Sequence, residues 1–429
     1  MLDSRFRGNR LVKHMNFRKP KGTKDILPKD MHKWHYVEKT IREVMSLFNF
    51  TEIRTPTFEY TDLFNRGVGS QTDIVGKEMY TFDDKGGDSM TLRPEGTAPV
   101  VRAYNENSMG ADSPVHKLYY MTNMFRYERP QAGRYREHTQ FGAEIIGSDS
   151  LTTDVELISL AKEVYNRCGI TNFKVKINSI GKPDERKNYV NLLREFLQKH
   201  INKLSEDSKK RLEGNTLRIL DSKNESDKEI TNSAPKILDN LGKESKDRFE
   251  KVLSGLTELG INYEVDFRLV RGLDYYTDTT FEFVSEELGA QDAIGGGGRY
   301  DGLVELLGGK PSPGVGFGSG IERVIIVAEK NGFKFPEATP PKVYFITLND
   351  EARDKSLSLA NDLRKKNISC ECDLLARSMK AQMREANKMM AEYVYIIGEE
   401  EIQKNKGMLK KMSDGTQEEI EFDLLVNKF

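Results

Sequence analysis

The stretch Gly314–Val324, GVGFGSGIERV, sets glycine on every second residue, at 314, 316, 318 and 320. Side chains alternate along a strand, so these glycines would share one face. A bare face is costly, because glycine gives up packing and backbone entropy. Close backbone packing explains a lone glycine. Four in register, followed at once by Glu322 and Arg323 at a helix start, point instead to an adenine or ribose platform with an arginine for phosphate. A Walker-type loop is excluded nearby, since Gly309-Lys310 runs into Pro311 and Val304 stands where the first glycine belongs.

Working outward, 115–127 (VHKLYYMTNMFRY) and 137–146 (EHTQFGAEII) are β-like runs joined by ERPQAGRYR. They predict an antiparallel hairpin with a long mobile loop. Alternation puts Arg126 and Glu128 on one face of the first strand, and Gln140, Gly142 and Glu144 on one face of the second. Arginine suits phosphate because its planar fork binds two oxygens at once. A salt-bridge ladder on a solvated sheet face is the plain alternative. In TLRPEGTAPVVRAY (91–104), Glu95, Gly96 and Thr97 fall at a turn. A carboxylate there could hold an ammonium or could serve a helix start. RGLDYYTDTTFEF (271–283) crowds Arg271, Asp274, Tyr275 and Tyr276 into a bend between strand-like runs, which is unusual for a purely structural turn.

The 429 residues allow two or three domains. Lys plus Arg (66) balance Asp plus Glu (67), so no global basic field announces a nucleic-acid partner, although a local basic face could supply one. Cys168, Cys370 and Cys372 make neither a disulfide framework nor a zinc ligand set, which suits a cytoplasmic protein. No apolar run reaches the ~20 residues of a membrane span. The opening MLDSRFRGNRLVKH lacks a signal-peptide core. Residues 1–16 read as a disordered extension or as sequence upstream of a start at Met15, more than as an organellar presequence.

Residues 31–48 place Trp34, Val37, Ile41, Val44, Met45 and Phe48 on one helix face. FTEIRTPTFEY (50–60) follows as a short strand with Pro56 at its end. From 182 to about 255 the composition turns polar, as in DSKNESDKEITNS, and predicts a helical insertion. Strand-like INYEVDFRLV (261–270) and DTTFEFV (278–284) resume, and KFPEATPP reads as a linker. Beyond it, strand, helix, strand, helix and strand alternate, predicting a small α/β domain with a largely parallel sheet.

Taken together, KPKGTKDILP, LRPEGTAPVVRAY, MFRYERPQAGRYREHTQFGAEIIG, RGLDYYTDTTFEF, GGGGRYDGLVELLGG and GVGFGSGIERV closely resemble the histidyl-tRNA synthetases, a class II aminoacyl-tRNA synthetase family. The resemblance runs from about Phe17 to the C-terminus. It implies an α+β catalytic domain (17–335) with a six- or seven-stranded antiparallel sheet, not a Rossmann fold, carrying the helical insertion. It further implies a linker (336–341), a C-terminal α/β anticodon-binding domain (342–429) and a homodimer built on the helix, strand and proline around Pro56.

The resemblance also implies the chemistry. Histidine would be activated by ATP, with Mg²⁺ bound mostly through the phosphates and no metal site on the protein. The histidyl group would then pass to the 3′ end of tRNA(His). Arg126, Arg271 and Arg323 match the catalytic arginines: Arg126 on the α-phosphate, Arg323 at the far end of ATP, and Arg271 near the α-phosphate and the substrate carboxylate. Glu128 matches the residue that meets the adenine, over a floor of Gly316, Gly318 and Gly320. Glu95, Gly96, Thr97 and Gln140 match positions around the amino and carboxylate groups, with Arg126 and Arg271 beside them. Glu144, Tyr275, Tyr276 and Tyr300 match the imidazole pocket. Arg129, Gln131, Arg134 and Arg136 would approach the tRNA acceptor end. His138 and Thr139 depart from the family's pattern, as does Asp278, whose carboxylate would face either nucleotide or solvent. The rival reading is the non-catalytic regulatory subunit of ATP phosphoribosyltransferase. That relative lacks the anticodon-binding domain and usually loses the catalytic arginines, all of which are present here.

Overall fold

A computed structural model describes residues 17–69, 72–131, 133–289 and 292–429. The expectation for residues 1–16 falls outside them. The chain divides into two compact units, Met1–Pro336 and Glu337–Phe429.

The first unit is built on an eight-stranded sheet in the order Thr51–Glu52, His116–Phe125, Glu137–Ile146, Gly314–Gly320, Ala293–Arg299, Thr277–Val284, Lys174–Ser179, Tyr263–Val265. The inner pairs are antiparallel, whereas the outermost pair at each end is parallel. The sheet is thus wider than the six or seven strands expected, because two- and three-residue segments extend both edges. Long helices cover one face. Pro28–Leu47 starts with proline in its first turn, where a missing N–H costs nothing, and buries Trp34, Val37, Ile41, Val44 and Met45. They join Phe141, Phe281, Phe283 and Phe317 from the sheet in the main core.

Three local expectations are corrected. Residues 50–60 are not one strand: Thr51–Glu52 joins the large sheet, and Phe58–Tyr60 starts a separate three-stranded sheet. The break contains Pro56, which cannot donate to a ladder. Residues 261–270 are strand only over Tyr263–Val265. The strand His116–Phe125 ends before Arg126, so Arg126 and Glu128 share no strand face.

Between 182 and 258 the chain forms helices, the longest being Pro183–Gln198 and Lys243–Glu258. They bury Tyr189, Leu193, Leu197, Ile219 and Leu241 in a second core that also holds Tyr120, Tyr275, Tyr276 and Tyr300. Arg299 and Asp154 lie fully buried against each other at 2.5 Å. Arg299 also donates to Ser150 O at 3.0 Å and Thr153 Oγ1 at 3.1 Å. A buried cation this fully bonded is a fixed point of the fold.

In the second unit, Cys370–Cys372, Val343–Thr347 and Tyr393–Ile397 pair in parallel, as the alternating pattern predicted. The sheet continues into an antiparallel hairpin, Lys406–Lys411 and Gln417–Glu421, that the sequence reading missed. Its buried face begins with Gly407, where a Cβ would press on the Tyr395 ring at 2.6 Å. The apolar half of the expected alternation is therefore absent at that position.

Candidate active site

The glycine strand lies beside Glu137–Ile146, with Gly316 opposite Glu144, Gly318 opposite Gly142 and Gly320 opposite Gln140. A Cβ on Gly316 would overlap the Glu144 carboxylate, and one on Gly318 the Gln140 amide. At Gly320 a Cβ would meet only Arg323 Cγ, at an ordinary 3.9 Å. The missing side chains therefore make room first for neighbouring strand residues, and only Gly320 leaves space open. Gly96 is needed because a Cβ there would overlap Tyr120.

Glu144 is fully buried. It accepts from Tyr300 Oη at 2.7 Å and from Thr97 Oγ1 at 2.8 Å. Burial pushes its carboxyl up to about 8, against the pull of those two donors and with help from nearby Glu95. Tyr275 packs on Tyr276 at 4.8 Å and on Tyr300 at 5.9 Å. Burial raises the pKa of all three tyrosines, so they remain protonated. Glu95 is turned to its own helix: its oxygens accept from the Thr97 and Ala98 N–H groups at 2.8 Å each, and Tyr275 Oη donates at 3.3 Å. Of the two uses open to this carboxylate, the helix-start role is the one seen. Gln140 Nε2 donates to Tyr120 Oη at 3.0 Å, which adds a tyrosine the sequence reading passed over.

A cavity of about 630 Å³ opens beside these groups, and Arg126, Glu128, Gln140, Arg271, Gly318, Gly320 and Arg323 line it. Glu95, Thr97, Glu144, Tyr275 and Tyr300 are not in its walls. Tyr276 lines a smaller neighbouring cavity of about 370 Å³, and Arg271 lines both. The structure therefore brings the arginines together around one space and closes the imidazole group into a separate buried cluster.

The arginines are held by the backbone. Arg126 Nε donates to Pro94 O at 2.7 Å, and Arg323 Nε donates to Gly133 O at 3.0 Å. Arg271 pairs with Glu282 and stands 6.0 Å from the Tyr276 ring. Glu128 is buried, with Arg134 on its carboxylate and Arg126 at 3.8 Å. Arg136 stacks on Tyr127 at 3.7 Å, while Arg129 and Gln131 are exposed. Sequence reasoning missed Glu282, which is legible only once Arg271 is seen against that strand. It also left His138 without a place: His138 lines the cavity, and burial together with Arg126 and Arg323 lowers its pKa to about 3, so the ring is neutral.

Asp278 faces neither nucleotide nor solvent. It is 5 % exposed, adopts φ +45°, and pairs with Arg248 of the insertion at 3.3 Å. Burial raises its pKa, with Arg248 pulling the other way.

This antiparallel sheet, with its glycine strand and inward arginines, defines the fold and site of a class II aminoacyl-tRNA synthetase. The family model described as histidyl-tRNA synthetase matches residues 22–324, and that of an anticodon binding domain matches 342–429. A histidine–tRNA ligase of Acetivibrio thermocellus is 49% identical over 409 residues, 95% of this chain and 98% of that protein. Another, of Thermoanaerobacter pseudethanolicus, is 50% identical over 404 residues, 94% of this chain and 97% of that one. The crystal structure of apo S. aureus histidyl-tRNA synthetase superposes with TM-score 0.81 at 39% identity, covering 96% of this chain and 99% of that one. The chain belongs to the histidyl-tRNA synthetase family. A match to the anticodon-binding model over 342–429 disfavours the regulatory-subunit reading.

Proposed function

We propose that this chain is a cytoplasmic, homodimeric histidine–tRNA ligase that uses ATP with Mg²⁺ to attach L-histidine to tRNA(His). One observation carries the assignment of residues to roles. A buried carboxyl, Glu144, held by Tyr300 and Thr97, lies on the same strand as Gln140, which lines a cavity whose walls also carry Arg126, Arg271 and Arg323. This arrangement supports selection of a nitrogen heterocycle next to stabilisation of phosphate charge.

Histidine enters with its imidazole between Glu144 and Tyr276. Its carboxylate oxygen attacks the α-phosphorus in line, the bond to the β-phosphate oxygen breaks, and pyrophosphate leaves. A hydroxyl of the terminal tRNA adenosine then attacks the histidyl carbonyl carbon, and AMP departs. Arg126 and Arg271 hold charge that grows on the α-phosphate oxygens, and Arg323 holds the far phosphates. Such fixed donors are each worth ~10²–10³ in rate. Of the carboxylates that line the cavity, Glu128 and Glu282 are paired with arginines, and Mg²⁺ would arrive on the ATP phosphates. Hydrogen bonds to the imidazole give selectivity, because an analogue without them leaves buried polar groups unpaired, at a discrimination of ~10⁴–10⁵. Glu95 acts by holding the turn that presents Thr97. Arg129 and Arg136, on the loop that follows Arg126, meet acceptor-end phosphates.

The test is histidine-dependent exchange of pyrophosphate into ATP by the pure protein with Mg²⁺, followed by charging of tRNA(His). Absence of exchange with histidine would remove the assignment.

A further inference from the structure

The segment 266–276 has almost no regular secondary structure, yet it carries Arg271, Tyr275 and Tyr276 into the site. Its backbone oxygens must find donors elsewhere, because a buried carbonyl without one costs as much as a lost hydrogen bond. Asn178 of the strand Lys174–Ser179 supplies Leu269 O at 3.1 Å, and from Val270 onward the donors named below come from the helical insertion. Arg186 Nη1 donates to Tyr276 O at 2.7 Å and to Asp274 O at 3.3 Å. Arg218 Nη1 donates to Val270 O at 3.3 Å, and Asn215 Nδ2 to Asp274 Oδ1 at 3.3 Å. At the far end Arg248 pairs with Asp278 at 3.3 Å, and the Asp278 N–H donates to Gly181 O at 3.1 Å. The insertion thus grips the segment at Val270, Asp274, Tyr276 and Asp278.

We propose that Arg186 and Arg248 of the insertion are positioning residues for histidine selection: they set the path of 270–278 and so the placement of Tyr276 and Arg271. This rests on the reading of Tyr276 as an imidazole-facing residue. The physical ground is leverage. A displacement of about 1 Å at a group that orients substrate can cost ~10²-fold in rate even when its cause lies outside the reacting centre. Asp278 fits the same role. Its left-handed backbone angle would suit glycine, but the carboxylate supplies the anchor that Arg248 uses.

The experiment compares wild type, Arg186→Met, Arg186→Lys and Asp278→Asn by steady-state pyrophosphate exchange, with histidine and ATP varied separately. Asparagine tolerates the left-handed region, so the Asp278→Asn change removes charge while keeping the backbone. The expected result for Arg186→Met is a fall in kcat/KM for histidine of roughly 10- to 100-fold. Arg271 lies in the gripped segment and acts on charge that grows in the transition state, so its displacement lowers kcat, whereas KM for ATP should stay within about twofold because Arg126, Glu128 and Arg323 lie outside the segment. Arg186→Lys should recover part of the loss, because an ammonium can still donate to one carbonyl. If Arg186→Met does not fold, Arg186→Lys and Asp278→Asn decide by the same split. A kcat/KM for histidine that stays unchanged, or a KM for ATP that rises as much as KM for histidine, overturns the inference while leaving the proposed function intact. A wild-type protein without exchange overturns both.

Discussion

Replacing Glu144 by glutamine tests the histidine pocket through its protons. With its carboxyl pushed up to about 8, Glu144 is protonated in roughly ten of eleven free molecules at pH 7. Free imidazole titrates at ~6.5. Between those values acid and ligand together carry one proton, which can lie between carboxyl and imidazole. Below ~6.5 the pair has a proton too many, and above ~8 one too few. Log kcat/KM for histidine should therefore be bell-shaped. Glu144→Gln keeps shape and neutrality, so the fold should survive, but the upper limb assigned to Glu144 should vanish while the lower one stays. The loss of a hydrogen bond to a charged group, about 1.5–3 kcal/mol, predicts a fall of roughly 10- to 150-fold in kcat/KM near neutral pH. Stability gives a second check. A carboxyl raised in the folded state contributes stability below its unfolded pKa that is lost as pH rises through about 8, so ligand-free wild type should weaken over that range relative to Glu144→Gln. An upper limb that persists unchanged in the variant would assign it to another group and refute this role for Glu144.

Three further outcomes follow from the geometry. Gly320→Ala should fold normally, since its Cβ meets only Arg323 Cγ at 3.9 Å, and should raise KM for ATP; Gly316→Ala, whose Cβ overlaps Glu144, should lose histidine exchange. Asp154→Asn leaves buried Arg299 with only Asp301 at 3.3 Å and Asp149 at 3.8 Å, and should lower the unfolding free energy by less than the ~3–5 kcal/mol of a wholly uncompensated charge, read from the urea midpoint. Arg134→Ala frees the buried Glu128 carboxylate and should weaken ATP use in the exchange assay, whereas Arg129→Ala, at an exposed position, should leave exchange alone and slow tRNA charging.

Much of the catalytic unit was legible because its signals are local and periodic. The helix at 28–47 repeats its apolar face every three or four residues, and the glycine strand repeats every second residue. What escaped depends on contacts distant in sequence. For Glu95 the sequence left two uses open, a ligand or a helix start, and only the structure decides for the Thr97 and Ala98 N–H groups. The destination of Asp278 is Arg248, thirty residues upstream. Arg126 and Glu128 follow alternation on paper, but the ladder stops at Phe125 and the Arg126 N–H donates to Arg136 O across the loop. The C-terminal hairpin was missed because a glycine, set against a tyrosine ring, occupies a position where a β-branched residue would have marked a strand.

The buried Arg299–Asp154 pair has a consequence for amide hydrogen exchange. It sits immediately before Tyr300, whose N–H donates to Gly314 O at 2.7 Å, on a strand paired on both sides. Deuterium should reach these amides only through opening of the whole sheet, because no smaller unit can release a doubly buried ion pair. Residues 126–131 and 133–136, where the strand gives way to a loop held by scattered backbone bonds such as Arg136 N–H to Gly22 O at 2.8 Å, should exchange through local opening. Nucleotide would then be reported by protection of 126–131 and 133–136, while the amides around Tyr300 stay protected throughout and serve as the internal standard for global unfolding.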